Sequence, residues 1–161
     1  MTFWWAFAAV VFGIQSAHAE KYFAYIGTYT SGKSKGIYRA EFDSTTGELS
    51  HPMLVAEAVN PSFLAIHPDG NRLYAVSETE QYQGQKSGSL RAYKLNPENG
   101  DLEFINETAS GGAAPCHLVV DRTGKFLLTA NYTGGSCKVV QLKPNGALGK
   151  QTAFQQHRGS S

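Results

Sequence analysis

The chain has 161 residues, with 14 lysines and arginines against 13 aspartates and glutamates and a formal net charge of +1. This balance excludes the strong positive charge that is typical of nucleic-acid-binding proteins, so no nucleic-acid partner is expected. With 42% hydrophobic and 17% charged residues, the composition is that of a soluble globular chain with enough apolar side chains for one domain core.

The N-terminal segment differs from the rest of the sequence. An almost unbroken apolar run extends over residues 3–14, and Ala17-His18-Ala19 follows it as a small-x-small cleavage pattern. We therefore predict a secretory signal peptide over residues 1–19, although only the terminal amine supplies the positive charge that usually precedes such a run. The run is shorter than the ~20 residues of a membrane-spanning helix, so stable membrane insertion is not expected. The mature chain is predicted to begin near Glu20 in the periplasm or outside the cell, with an uncleaved anchor as the alternative.

From Tyr22 onward the sequence consists of short strand-like segments separated by Gly, Pro, Asn and Asp, without a sustained helical period. The predicted strands are 22–26, 72–76 and 125–130, then the alternating segments 37–42, 90–95 and 137–142, and finally 52–59, 103–109 and 151–156. A Gly-x-Leu turn precedes each member of the last group, and a bulged hairpin there requires a glycine with positive φ.

Two stretches of the chain are copies of one unit. Residues 61–78 align without a gap with residues 115–132, placing Leu64 on Leu118 and Gly70 on Gly124. Four short antiparallel strands repeated every ~50 residues are typical of a β-propeller blade, because one such sheet cannot bury both of its faces. The predicted fold class is therefore all-β, a β-propeller of four-stranded antiparallel blades; a β-sandwich of hairpins is the alternative.

The number of blades is small. Residues 20–161 hold a blade without its first strand, a complete blade and a nearly complete one, whereas closure takes four to eight. We expect this region to be a partial propeller, truncated at its C-terminus.

Two motifs in the first polar loop suggest nucleotide binding or a nucleophilic serine. Residues 27–34 satisfy the P-loop pattern, and residues 32–36 satisfy G-x-S-x-G. Both sites require a helix directly after the loop, but residues 36–42 alternate like a strand. We interpret the stretch as an ordinary connection between two strands.

Strand direction predicts that the loops after each second and fourth strand meet at one end of the blades. We call this end the upper face; it comprises residues 28–35, 77–78, 113–117, 131–135 and 157–161. Its candidate site residues are Glu78, His117, Asn131, Tyr132, His157 and Arg158. Ordinary alternatives are a hydrogen-bonded channel histidine for His117, a solvated charge for Glu78, a loop cap for Asn131 and packing for Tyr132. No zinc or calcium spacing occurs in the sequence, so neither a metal nor another cofactor is expected.

The two cysteines begin the first and third strands of one predicted unit. The second strand separates them by about 9 to 10 Å, which is too far for a disulfide. We predict that Cys116 and Cys137 are reduced. Because Cys137 aligns with Ile37 and Leu90, it is predicted to be a small buried hydrophobic residue.

At residues 73–78, 115–121, 130–136 and 157–161 the chain resembles the 6-phosphogluconolactonase-like lactonase family of seven-bladed β-propellers. Residues 25–30 and 36–38 are also similar, and the resemblance covers the family's first two to three blades. It implies metal-independent hydrolysis of a small-molecule sugar lactone. The family continues beyond the His-x-Gly-Ser-Ser motif at 157–161 into Arg-Gln and Pro-His-x-His segments, so this stretch alone is expected to have little or no activity.

The resemblance and the upper face together suggest specific roles. His117 or His157 is the predicted general base, because an unperturbed imidazole titrates near neutral pH. Glu78 is expected to orient that base, while Asn131, Tyr132 and Arg158 bind the substrate. The alternative function is a non-catalytic extracytoplasmic propeller that binds a ligand or a protein on the same face.

Overall fold

The computed structural model describes residues 21–159, in which every regular element is a β-strand. The strands are β1 (Lys21–Ile26), β2 (Gly36–Asp43), β3 (Met53–Glu57), β4 (Leu64–Ile66), β5 (Arg72–Ser77), β6 (Ser89–Leu95), β7 (Leu102–Ala109), β8 (Pro115–Val120), β9 (Phe126–Asn131), β10 (Ser136–Leu142) and β11 (Leu148–Gln156). The predicted signal peptide, residues 1–19, lies outside the described residues. Between residues 21 and 159 there is no helix long and apolar enough to cross a membrane.

The strands form three antiparallel sheets in which each strand pairs with the next one along the chain. The first sheet has the order β1-β2-β3, the second β4-β5-β6-β7 and the third β8-β9-β10-β11. This arrangement confirms the all-β prediction and the reading of the chain as part of a propeller. Among residues 21–159 the first sheet has three strands, and β1 occupies the position that β5 and β9 hold in the later sheets.

The hairpins before β3, β7 and β11 have the predicted backbone geometry. Their glycines Gly47, Gly100 and Gly146 have φ angles of 77°, 72° and 86°. A side chain at these left-handed positions would strain the backbone, and glycine avoids that cost. The Gly-x-Leu pattern therefore marks where each outer hairpin turns.

Two hydrophobic cores join the sheets. Ile37 of the first sheet packs against Leu73 and Tyr93 of the second. On the opposite side of the second sheet, Tyr74 and Leu90 pack with residues of the third sheet. The second sheet is thus covered on both faces, as a blade between two neighbours must be.

The sheets are also tied by cations at one repeated position. Arg91 on β6 donates through Nη1 to the carbonyl of Glu57 on β3, at 3.0 Å. Lys138 on β10 donates through Nζ to the carbonyl of Ala109 on β7, at 2.6 Å. The two acceptors are equivalent. Glu57 pairs with the first residue of β2, and Ala109 pairs with the first residue of β6. Burial lowers the pKa of Lys138, which has only this carbonyl as a hydrogen-bond partner among the described residues.

The prediction for Cys137 is wrong in one respect. Cys116 and Cys137 are both free thiols on strands that β9 separates, but Cys137 is exposed. Its equivalents Ile37 and Leu90 are each buried by the following sheet. Within residues 21–159 no sheet follows the third one, so the same repeat position is open to solvent.

Candidate functional site

The predicted upper face is assembled around Asn60, in the loop between β3 and β4. Its Oδ1 accepts hydrogen bonds from the backbone N–H and the hydroxyl of Thr30, at 2.9 and 3.1 Å. Its Nδ2 donates to the carbonyl of Glu78 at 3.1 Å, and its own carbonyl accepts the N–H of Glu78 at 3.0 Å. Asn60 has a φ of 43°, a left-handed conformation that Asn tolerates better than most residues. One side chain therefore joins the loops that follow β1 and β5.

Glu78 lies directly after β5 and is held by two hydroxyl groups. The phenol of Tyr29 donates to Glu78 Oε2 at 2.9 Å, and the hydroxyl of Ser62 makes a short hydrogen bond to the same oxygen. Tyr29 comes from the first sheet, whereas Ser62 precedes the first strand of the second. The hydrogen bond to the Glu78 carboxylate, reinforced by its charge, raises the pKa of Tyr29. The phenol consequently remains a donor at neutral pH.

His117 lies on β8, where a bulge separates it from Pro115 in the pairing with β9. Its exposed ring packs on Phe63 with the ring centroids 4.4 Å apart and the planes tilted by 50°. Within residues 21–159 neither ring nitrogen has a hydrogen-bond partner. Phe63 directly follows Ser62, so the Ser62-Phe63 dipeptide contacts Glu78 at one residue and His117 at the next. The two predicted residues therefore contact adjacent residues of one dipeptide, and no hydrogen bond within residues 21–159 joins them directly.

Asn131 and Tyr132 follow one another at the end of β9 but have different environments. Asn131 is 3% exposed, and its Nδ2 donates to the carbonyl of Ser110 at 3.2 Å and to the hydroxyl of Ser136 at 3.0 Å. Its buried Oδ1 has no hydrogen-bond partner in the described part of the chain. Tyr132 is 81% exposed and is held through its backbone N–H, which donates to Ala114 at 2.8 Å. Tyr132 is therefore the accessible member of the pair.

His157 and Arg158 follow β11 and are both exposed. The backbone N–H of His157 donates to the carbonyl of Gly135 at 2.9 Å, which places His157 beside the loop that carries Tyr132. Within residues 21–159, neither side chain forms a hydrogen bond to Glu78 or His117. The last two residues of the motif, Ser160 and Ser161, lie outside the described residues.

The sequence prediction missed Tyr29 and Ser62 as partners of Glu78. Tyr29 falls within the loop that matches the P-loop pattern, and this loop leads directly into the strand β2, as predicted. Neither motif in that loop has the helix it requires. Ser62 aligns with Cys116 in the repeat, so the alignment offers no signal for a carboxylate partner. Among the side chains of the described region, no group of three or more His, Cys, Asp or Glu is arranged to hold a metal ion.

Comparison with known proteins agrees with this architecture. Residues 23–161 match the family model described as lactonase, 7-bladed beta-propeller. The chain is 37% identical over 139 residues to a 6-phosphogluconolactonase of Bacillus subtilis (strain 168), covering 86% of this chain and 38% of that protein. It is 34% identical over 137 residues to a 6-phosphogluconolactonase of Formosa agariphila, covering 84% of this chain and 38% of that protein.

A solved structure shows the same fold. The periplasmic gluconolactonase PpgL of Pseudomonas aeruginosa superposes with a TM-score of 0.77 at 30% identity, over 86% of this chain and 39% of that one. The chain thus spans well under half the length of the relatives it matches. Its sheets, its repeat and these matches together place it in the seven-bladed β-propeller lactonase family.

Proposed function

We propose that the protein hydrolyses a sugar lactone of the 6-phosphogluconolactone or gluconolactone type. The observation that carries this proposal is the link from Glu78 through Ser62 and Phe63 to His117 on the upper face. It joins a carboxylate and an imidazole, which are the groups that general acid–base hydrolysis uses. The names of the bacterial relatives supply the substrate class.

In the proposed reaction, His117 removes a proton from water as the oxygen of that water attacks the lactone carbonyl carbon. The carbonyl π electrons move to oxygen and form a tetrahedral oxyanion. When the oxyanion collapses, the bond between the carbonyl carbon and the ring oxygen breaks. The imidazolium of His117 returns the proton to that oxygen, and the product is the open-chain acid. No cofactor takes part in the proposed reaction.

The remaining residues have supporting roles in the proposal. Glu78 supplies negative charge that orients the base and stabilises its protonated form. Tyr132, the most exposed of the set, hydrogen-bonds substrate oxygens, and Arg158 offers a cation to the same part of the face. Buried Asn131 supports the loop beneath Tyr132. His157 is the alternative base, because it lies beside that loop.

The proposed location is the periplasm or the cell exterior. The predicted signal peptide supports it, and one structural relative is named a periplasmic gluconolactonase. We also propose that residues 20–161 alone hydrolyse lactones poorly, because their open sheet faces leave much of a propeller site unformed.

The test is a comparison of histidine variants of the full-length protein in a lactone hydrolysis assay. His117→Ala is expected to lower kcat by ~10² to 10⁴, the usual contribution of an acid–base group. His51→Ala is the matched control, since His51 is exposed in the loop between β2 and β3. An equal loss only in His157→Ala would assign the base to His157.

An unsubstituted protein that hydrolyses no lactone above the buffer rate would overturn the proposal. The alternative of a non-catalytic binding propeller predicts that outcome. Unchanged turnover in His117→Ala would remove this residue from the mechanism.

A further inference from the structure

Two hydroxyl groups from different sheets converge on one oxygen of Glu78. Tyr29 belongs to the loop between β1 and β2, and Ser62 to the loop between β3 and β4. Both donate to Oε2, whereas Oε1 has no hydrogen-bond partner among residues 21–159. A carboxylate offers about four lone-pair sites on its two oxygens. The two donors fix the carboxylate and leave its other oxygen available.

The arrangement is not a general feature of the blades. In the third sheet the positions equivalent to Ser62 and Glu78 hold Cys116 and Tyr132, which cannot form a hydroxyl–carboxylate cluster. The backbone is nevertheless the same, because the N–H of Glu78 and that of Tyr132 make equivalent hydrogen bonds to Asn60 and Ala114. The fold therefore forms at this position without the cluster, which points to a role beyond folding.

Tyr29 contributes little to the core. Its side chain is 60% exposed, and a hydrogen bond to Glu78 connects it to the second sheet. Removing only the phenolic oxygen should leave packing almost unchanged, whereas the carboxylate would lose one of its two donors. The Tyr29 hydroxyl can therefore influence activity by orienting the Glu78 carboxylate rather than by packing in the core.

We propose that Tyr29 and Ser62 are positioning residues that hold the Glu78 carboxylate in the orientation that lactone hydrolysis requires. This inference rests on the proposed function. Oε2 is occupied by the two hydroxyls, and Oε1 serves the reacting groups on the upper face. Because the donors come from separate loops, the carboxylate is correctly oriented only when the first two sheets are docked.

The kinetic test uses the full-length protein with Tyr29→Phe, Ser62→Ala, Glu78→Gln and the double variant Tyr29→Phe/Glu78→Gln. Each hydroxyl variant is expected to lower kcat about 10- to 100-fold with little change in KM, the range for a hydrogen bond to a charged group. Ser62→Thr, which keeps the hydroxyl, should restore most of the activity. The double variant should be no slower than Glu78→Gln alone, because both changes act through one carboxylate. Tyr82→Phe removes a phenol from another loop and is the matched control, expected to behave as the unsubstituted protein.

A second readout does not depend on activity. The ring signal of Tyr29, followed by NMR with labelled tyrosine, should titrate at lower pH in Glu78→Gln, because loss of the carboxylate removes the cause of its raised pKa. An unchanged titration would overturn the hydrogen bond and the proposal with it.

The outcomes separate this proposal from the function on which it rests. Full activity in Tyr29→Phe and Ser62→Ala, together with an impaired Glu78→Gln, overturns the positioning roles and leaves lactone hydrolysis intact. A Tyr29→Phe loss that multiplies fully with that of Glu78→Gln also overturns them, since the phenol would then act independently. An inactive unsubstituted protein overturns the proposed function itself, before any variant is compared.

Discussion

The second and third sheets are built on one repeat, and they differ mainly in what covers them. Tyr74 on β5 and Leu128 on β9 are equivalent, yet Tyr74 is 0% exposed and Leu128 is 40% exposed. The third sheet covers Tyr74, whose phenol donates to the carbonyl of Gly146 at 2.9 Å. Burial raises the pKa of Tyr74 to about 12. Solvent exposure here depends on the neighbouring sheet as well as on the residue's place in the repeat.

The two sheets also differ at their upper ends. The second sheet presents Glu78 fixed by Ser62, and the third presents the exposed phenol of Tyr132 after the buried Asn131. At the opposite ends of the two sheets, the turn between β4 and β5 and the turn between β8 and β9 are alike. Gly70 and Gly124 donate to the carbonyl three residues earlier, at 2.9 Å in both cases. The repeat therefore keeps the positions that build the hairpin and varies those that carry chemistry.

The largest effect is expected from the core that joins the two sheets. Leu127 is fully buried among residues of both, so Leu127→Ala should lower the free energy of unfolding by about 2 to 5 kcal/mol. Leu128→Ala, one residue away and 40% exposed, is the control and should cost less than about 1 kcal/mol. Chemical denaturation of the 161-residue chain measures both. Equal costs would show that a further element buries the face that carries Leu128.

Much of the fold follows from the repeat. The alternation of residues 90–95 and the glycines of the outer hairpins correctly predict β6 and the turn positions. Strand direction alone correctly predicts that the loops of the upper face meet, as the bonds of Asn60 show. These features are local or follow from topology, so a single sequence is sufficient to predict them.

The candidate site was less accessible to sequence reasoning. The place of Glu78 at the end of a strand makes it a candidate, but its partner Tyr29 lies 49 residues away, in a loop of the first sheet. No local pattern encodes that contact, because it depends on how two sheets dock. The prediction that Cys137 is buried is wrong for a related reason. Its repeat position is a buried one in the earlier sheets, but residues 21–159 provide no sheet to cover it.

The hydrogen bonds that Arg91 and Lys138 donate to carbonyls of the preceding sheet give a second, smaller test of the equivalence between the sheets. Arg91 bonds to the carbonyl of Glu57, ion-pairs with Glu107 at 3.5 Å and lies over the ring of Phe104 at 5.1 Å. Among residues 21–159, Lys138 has only the carbonyl of Ala109 as a hydrogen-bond partner. Arg91→Met is expected to cost about 1 to 3 kcal/mol of unfolding free energy, because it leaves polar partners unsatisfied. Lys138→Met should cost less, because it also removes the penalty of burying a charge.

The effect of Lys138→Met should also depend on pH. The pKa of Lys138 lies below 10.5 in the folded protein, so the unfolded chain binds more protons between the two values and stability rises with pH there. The stability of the unsubstituted protein relative to Lys138→Met should therefore increase as the pH approaches 10.5. Urea denaturation across the alkaline range measures this difference, and a flat profile would contradict the burial of the Lys138 charge.

The smallest effect concerns the turn between the first two strands of the second and third sheets, where Asp121 in the third sheet replaces His67 in the second. Hydrogen bonds from the Thr123 hydroxyl and then from the backbone N–H of Phe126, with others nearby, lower the pKa of Asp121 to about 2. Because this value lies below the ordinary 3.8, its stabilising contribution is complete above pH 3.8 and is lost as the pH falls toward 2. Asp121→Asn should lower the thermal midpoint slightly at neutral pH, and the difference should close over that acidic interval. Thermal denaturation followed by circular dichroism measures it, with Thr123→Val expected to produce part of the same loss. A difference that persists unchanged at pH 2 would mean that the turn depends on the shape of the side chain rather than on its charge.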